Sequence, residues 1–155
     1  MNDYNEHTFY LNLGSNLGDR ETNLWAADLR LSLDLGLVTA RSEIYESEPW
    51  GFESDNGFLN MAIAVECRYS PSEALDIIHA IERELSGGAS HRDSRGRYID
   101  RMIDIDIMAI DDLVIDTPKL KVPHRHLMDR DFFRIPFSQI APDWRHPVTG
   151  EPLQK

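Results

Sequence analysis

The chain has one cysteine in 155 residues, Cys67, which excludes an internal disulfide and a thiolate metal cluster. Cys67 closes the apolar stretch 61–67 and reads as a core residue rather than a nucleophile. No run approaches the roughly 20 apolar residues of a membrane span, and the polar start, Met1 to Glu6, shows no basic region followed by an apolar one. Repeats, low-complexity tracts and Pro/Gly/Ser-rich linkers are also missing, so residues 1–155 read as one domain of a cytoplasmic protein, expected to be a monomer without a membrane partner. Positive charge is scarce: 16 Lys and Arg stand against 27 Asp and Glu, a net charge of −11. That balance argues against nucleic acid as a partner.

The distribution of charge says more than its sum. Residues 1–91 hold 5 of the basic and 16 of the acidic residues, while residues 92–155 hold 11 of each. Nine of the 16 basic residues fall between Arg92 and Arg134. They flank the run Met102-Ile103-Asp104-Ile105-Asp106-Ile107-Met108. Side chains alternate along a strand, so Asp104 and Asp106 point one way and the isoleucines the other. Two neighbouring carboxylates repel, and a hard cation resolves the repulsion. Mg²⁺ takes one or two carboxylates and completes its shell with water and substrate phosphates. A strand with one wet face would show the same pattern.

Phe9, Leu11 and Leu13 alternate with Tyr10 and Asn12 as a first strand ending at Gly14. Asp19 is a plausible N-cap for a helix to about Asp34 with an apolar stripe of Leu24, Ala27, Leu31 and Leu35. Leu37 to Tyr45 and Phe58 to Cys67 read as strands. Ser70-Pro71-Ser72-Glu73 has capping-box spacing with proline at the first helical position, opening a helix that ends before Gly87-Gly88. The Asp104/Asp106 strand follows a polar, arginine-rich stretch over 86–100. Asp111-Asp112 reads as a turn into a short strand, Leu113 to Ile115. After Pro123 the pattern gives short helices and loops. The order β-α-β-β-α-β predicts an α+β fold: a ferredoxin-like antiparallel sheet, helices on one face and a C-terminal helical and loop appendage. Such a sheet leaves its other face open to a ligand.

Around the aspartates, Arg92, Arg95, Arg97 and Arg101 precede and Lys119, Lys121, His124, Arg125, His126 and Arg130 follow. Arginine forks and lysine point charges, with Mg²⁺, suit a polyphosphate. His124, His126 and His146 lack the companions of a zinc site. The glycine-bearing loop Gly14-Ser15-Asn16-Leu17-Gly18 opens a helix, but it lacks the lysine and spacing of a P-loop and reads as a tight turn. Trp50, Phe52, Phe58 and Asn60 combine flat apolar surface with one amide, which suits a planar heterocycle, although core aromatics give the same composition.

In order along the chain, Gly14–Gly18, Tyr45-Glu46-Ser47-Glu48-Pro49-Trp50-Gly51, Phe58-Leu59-Asn60, Arg101 to Ile107 and Val122-Pro123-His124 resemble the 6-hydroxymethyl-7,8-dihydropterin pyrophosphokinases of folate biosynthesis, over roughly residues 8–142. The resemblance implies transfer of pyrophosphate from ATP to the hydroxymethyl group of the reduced pterin. It implies two Mg²⁺ ions on Asp104 and Asp106, with Arg101 and a further loop arginine, Arg92, in catalysis. Glu82, Tyr98, Ile107, Lys119, Lys121, His124 and Arg130 match ATP-binding positions. Ser47, Glu48, Trp50, Phe58, Asn60 and Phe132 match the pterin pocket, with Phe58 and Phe132 sandwiching the ring and Asn60 reading its edge. The chain departs from the family pattern where Tyr98-Ile99-Asp100-Arg101 replaces a tryptophan-glycine-proline-arginine run, and where His79 stands for glutamine. That departure makes a catalytically decayed nucleotide- and pterin-binding module the alternative.

Overall fold

A computed structural model of the chain describes residues 6–47, 57–86 and 102–153. In chain order the elements are β1 (His7–Ser15), α1 (Arg20–Asp34), β2 (Leu37–Arg41), β3 (Tyr45–Ser47), β4 (Phe58–Cys67), α2 (Pro71–Leu85), β5 (Asp104–Ile110), β6 (Ile115–Asp116), β7 (Lys121–Val122) and α3 (Asp131–Ile140). The main sheet runs β2-β4-β1-β5, with β3 also on β4, and every pairing is antiparallel. This is the ferredoxin-like order expected from the sequence.

Local chemistry accounts for the helices. The Asp19 side chain accepts from Thr22 N at 3.1 Å and caps α1. For α2, Glu73 N donates to Ser70 Oγ at 3.1 Å and Ser70 N to Glu73 Oε1 at 3.0 Å, so the capping box forms as predicted. Helix α1 feeds β2 through Gly36, where a Cβ would lie 2.1 Å from the Glu66 carbonyl oxygen. Only glycine permits that approach.

Alternation builds the core. Phe9, Leu11 and Leu13 of β1, Met61, Ile63 and Val65 of β4, and Ile105, Ile107 and Ile110 of β5 pack under α1 and α2. Full burial of each such side chain is worth ~1.5–3 kcal/mol. A register shift between Tyr10 and Leu11 keeps both Ile107 and Ile110 on the helix side.

Three expectations are corrected. The predicted strand 37–45 is interrupted, because Ser42 Oγ accepts from Ala62 N at 2.8 Å and Glu43 N turns away to Gln139 Oε1 at 2.8 Å. A serine hydroxyl thus takes over one rung of the ladder. The sheet's second face is also only partly open. Helix α3 lies on it, burying Phe133 and Phe137 with Met108, Ala109 and Leu127. Tyr10 stacks on Phe137 at 4.8 Å and Phe137 on Trp144 at 5.0 Å. The short strand expected at 113–115 is displaced to Ile115–Asp116, which pairs with β7.

Candidate active site

The second face of the sheet collects the polar residues that alternation predicts. In the β1–β5 register Asp106 lies opposite Asn12 and Asp104 opposite Gly14. Gly14 in turn lies opposite Asn60 of β4, and Asn60 opposite Tyr45 of β3. Cross-strand partners share a face, so Asp104, Asp106 and Asn60 project together. Asp104 and Asn60 are two strand spacings apart, about 10 Å.

The outer edge of β5 forms a cleft of about 310 Å³. Leu75 of α2, Ile105, Ile107 and Leu120 make its apolar walls, with His79 at the same helix. Asp106, Lys119, Lys121, His124 and Arg125 make its polar end. Two ties place these groups. His124 N donates to Met108 O at 2.8 Å, fastening the segment after β7 alongside β5. Ile105 N donates to the buried Glu82 carboxylate at 2.8 Å, so the N–H of Ile105 faces outward from the sheet. By strand alternation the N–H and C=O of Ile107 face the same way, into the cleft.

His124 is neutral in this setting. Burial, reinforced by Arg130 and His126, pushes its pKa down to about 4. His126 N donates to His124 Nδ1 at 3.1 Å. Nδ1 is therefore the acceptor and the ring proton sits on Nε2, 4.0 Å from Asp106 Oδ1. A donor is thus aimed at the space beside the carboxylates. The imidazole also packs edge-on to Phe133 at 4.9 Å. Burial, then Arg83, likewise lowers the His79 pKa. Lys119 Nζ lies 3.0 Å from Asp76, and Lys121 pairs with Asp116; both pairs are exposed and readily exchanged for a ligand's oxygens.

At the other end of the face, Asn60 Nδ2 donates to Ser47 Oγ at 3.3 Å. Gly14 leaves room for them: a Cβ there would meet Asn60 Oδ1 at 3.0 Å and Phe58 Cδ1 at 3.7 Å. Phe132 stands in the first turn of α3, its ring 4.7 Å from Phe133, with the Arg130 guanidinium 5.8 Å above it. The Gly14–Gly18 loop is a structural turn as read: Asn23 Nδ2 donates to Ser15 Oγ at 3.1 Å and Leu17 O at 2.8 Å.

Of the residues singled out from the sequence, Asp106, Ile107, Lys119, Lys121 and His124 line the cleft, Asp104 shares the strand face of Asp106, and Glu82 abuts the cleft through Ile105. Ser47 and Asn60 meet through a hydrogen bond beside Phe58, while Phe132 and Arg130 meet at α3. Glu48, Trp50, Arg92, Tyr98 and Arg101 lie outside the described residues. The sequence reading gives Asn12 only as part of the alternation of the first strand and does not single out Leu75 or Leu120; the signal for Asn12 is a polar residue in phase with Gly14 on the carboxylate face.

Among the described residues no group of three or more His, Cys, Asp or Glu side chains is placed so that it could by itself hold a metal ion. A paired carboxylate with open space and cations beside it fits Mg²⁺ arriving with a polyphosphate, since that ion takes most of its shell from water and phosphate. No helix among the described residues is long and apolar enough to cross a membrane.

Comparison with known proteins gives the family. The family model for 7,8-dihydro-6-hydroxymethylpterin-pyrophosphokinase matches residues 10–142. The chain is 44% identical to the 2-amino-4-hydroxy-6-hydroxymethyldihydropteridine pyrophosphokinase of Porphyromonas gingivalis, over 92% of this chain and 96% of that one. It is 40% identical to the Aquifex aeolicus enzyme of the same name, over 96% and 89%. Among solved structures, wild-type Plasmodium falciparum HPPK-DHPS superposes with a TM-score of 0.76 at 14% identity, covering 99% of this chain. The chain spans 44% of the length of that solved chain, and the likeness there is one of fold. On the family match and these identities, the chain belongs to the 7,8-dihydro-6-hydroxymethylpterin-pyrophosphokinase family.

Proposed function

We propose that the cleft along β5 holds ATP, that the Ser47–Phe58–Asn60–Phe132 end of the face holds 6-hydroxymethyl-7,8-dihydropterin, and that the reaction runs between them at Asp104 and Asp106. The pterin hydroxymethyl oxygen attacks the β-phosphorus of ATP. The bond from that phosphorus to the α,β-bridging oxygen breaks, AMP leaves, and the hydroxyl proton is released to water. The observation that carries this reading is the register: Asp104 lies opposite Gly14, and Gly14 opposite Asn60, so the carboxylates stand between an edge cleft lined with cations and an amide-bearing aromatic slot.

Phosphoryl-type transfer asks mainly for positioning and neutralisation of spreading charge. The apolar walls Leu75, Ile107 and Leu120 suit a nucleobase, and the outward backbone of Ile107 suits its edge. Lys119 and Lys121 lie where ribose and phosphate oxygens pass. His124, holding its proton on Nε2, donates to the polyphosphate without adding charge, and Arg130 adds a cation beyond it. Glu82 acts on the nucleotide site by fixing the strand between the two aspartates. Arg101 and Arg92 are assigned to the transferred group and Tyr98 to the nucleotide. Glu48 and Trp50 are assigned to the pterin pocket with Ser47, Phe58, Asn60 and Phe132. Asp104 and Asp106 would hold two Mg²⁺ ions, which supply charge neutralisation on the phosphates and a template for the attacking oxygen. Residues 1–155 act as one cytoplasmic domain, expected to be monomeric, on soluble substrates.

The test is AMP release from ATP and Mg²⁺ with and without the pterin. Pterin-dependent AMP, with no ADP, is expected. Tight binding of both substrates without AMP would make the protein a binding module instead.

A further inference from the structure

Helix α3 contains a proline at Pro136, four residues after Phe132. In an α-helix the carbonyl of Phe132 would accept from the backbone N–H of residue 136, but proline has none, and its ring crowds that same carbonyl. The Phe132 carbonyl therefore has no partner within its own helix at that position. A buried carbonyl left in that state is costly. The donor comes from the sheet: Asn12 Nδ2 donates to Phe132 O at 3.1 Å. Asn12 is 1% exposed and lies directly opposite Asp106 in the β1–β5 register. One amide thus ties the first turn of α3 to the strand beside the carboxylates.

We infer that Asn12 is a positioning residue for the pterin: it replaces the hydrogen bond that Pro136 removes, and so fixes the Phe132 ring relative to the Asp104/Asp106 strand. The inference rests on the proposed placement of the pterin against Phe132. Asn12 itself need not touch either substrate. Its effect reaches the pterin through the backbone of Phe132, whereas the cleft along β5 is held by other ties, Glu82 to Ile105 and His124 to Met108.

The test is a double-mutant cycle on the full chain. Pterin and ATP-analogue dissociation constants are measured with Mg²⁺ for wild type, Asn12→Leu, Pro136→Ala, the double variant and Phe132→Ala. Asn12→Leu is expected to weaken the pterin by about tenfold, the worth of one buried hydrogen bond, and the ATP analogue by less than about twofold. Pro136→Ala restores an N–H to the helix, so the double variant should regain most of the pterin affinity. That rescue is not expected of an asparagine whose role is general stability. Wild-type pterin affinity in Asn12→Leu, with Phe132→Ala defective, overturns the inference and leaves the pterin site standing. Equal loss of pterin and nucleotide, or no rescue, also overturns it. Full pterin affinity in Phe132→Ala removes the placement on which the inference rests, and the inference with it. If Asn12→Leu does not fold, Asn12→Ser, whose hydroxyl is too short to reach Phe132, carries the same comparison.

Discussion

The Glu82 carboxylate accepts the backbone N–H of Ile105 at 2.8 Å, and Ile105 is the residue between Asp104 and Asp106. A buried acid on one helix thereby sets the strand end from which the two carboxylates project. An edge strand presents unpaired N–H groups, and here one of them is taken by a side chain rather than by another strand. The consequence is a specific difference between two substitutions. Glu82→Leu leaves the Ile105 N–H buried without its acceptor and should cost about 1–3 kcal/mol in urea unfolding. Glu82→Gln keeps an acceptor and should cost clearly less. Turnover should fall in the same order, because the carboxylates shift with the strand. Equal losses in both variants would show that the charge of Glu82, not its hold on Ile105, is what matters.

The aspartates themselves give a second expectation. Two carboxylates on one strand face are the ligand set expected for Mg²⁺, so the variants to compare with wild type are Asp104→Asn and Asp106→Asn. Mg²⁺ with an ATP analogue should raise the melting temperature of wild type by mass action and do so far less in either variant. Turnover should drop by about 10³-fold, the scale seen when a group acting on transition-state charge is removed. Either variant with near-normal AMP release would remove the assignment of these residues to the metal.

How much of this was legible depended on whether the signal was local. Alternation around Asp104 and Asp106, the Ser70/Glu73 capping box and the α1 stripe are decided by neighbours within four residues, and each is found as read. The break in the second strand was not legible, because it depends on Ser42 reaching Ala62, twenty residues away. After Pro123 the sequence pattern gives only short helices and loops, whereas α3 runs for ten residues with Pro136 in its interior, where proline argues against a helix from sequence alone. Asn12 supplies what the proline removes, across 120 residues of chain. The same distance hid Asn12 from a sequence reading: its role exists only once α3 is folded against β1.

His124 predicts a pH dependence with a definite sign. Its pKa in the folded protein is about 4, below the ordinary 6.5, so the unfolded chain takes up a proton first as pH falls. Its contribution to stability is therefore complete above about pH 6.5 and is lost between there and about pH 4, below which both states are protonated. The loss amounts to about 3 kcal/mol at most. Denaturant unfolding of metal-free wild type and His124→Gln across pH 4–7 should show the gap between the two proteins narrowing, or reversing, as pH falls. Parallel curves would mean that the imidazole is not held neutral by its burial.

Gly14 separates the two halves of the site in a last prediction. A methyl group at position 14 would press on Asn60 Oδ1 at 3.0 Å and touch Phe58 at 3.7 Å, while nothing from the cleft along β5 stands among its nearest neighbours. The Asn60 amide, already bonded to Ser47, must give by a few tenths of an ångström to admit the methyl. Gly14→Ala should therefore raise KM for the pterin by about tenfold, one hydrogen bond's worth, with KM for ATP little changed. The split is the informative part. On the proposed placement, a pterin heterocycle against Asn60 and Phe58 feels that displacement, and a nucleotide against Ile107, Lys119 and Lys121 does not. Equal rises in both constants would place the two substrates on one shared surface, and the division of the sheet face at Gly14 would fail.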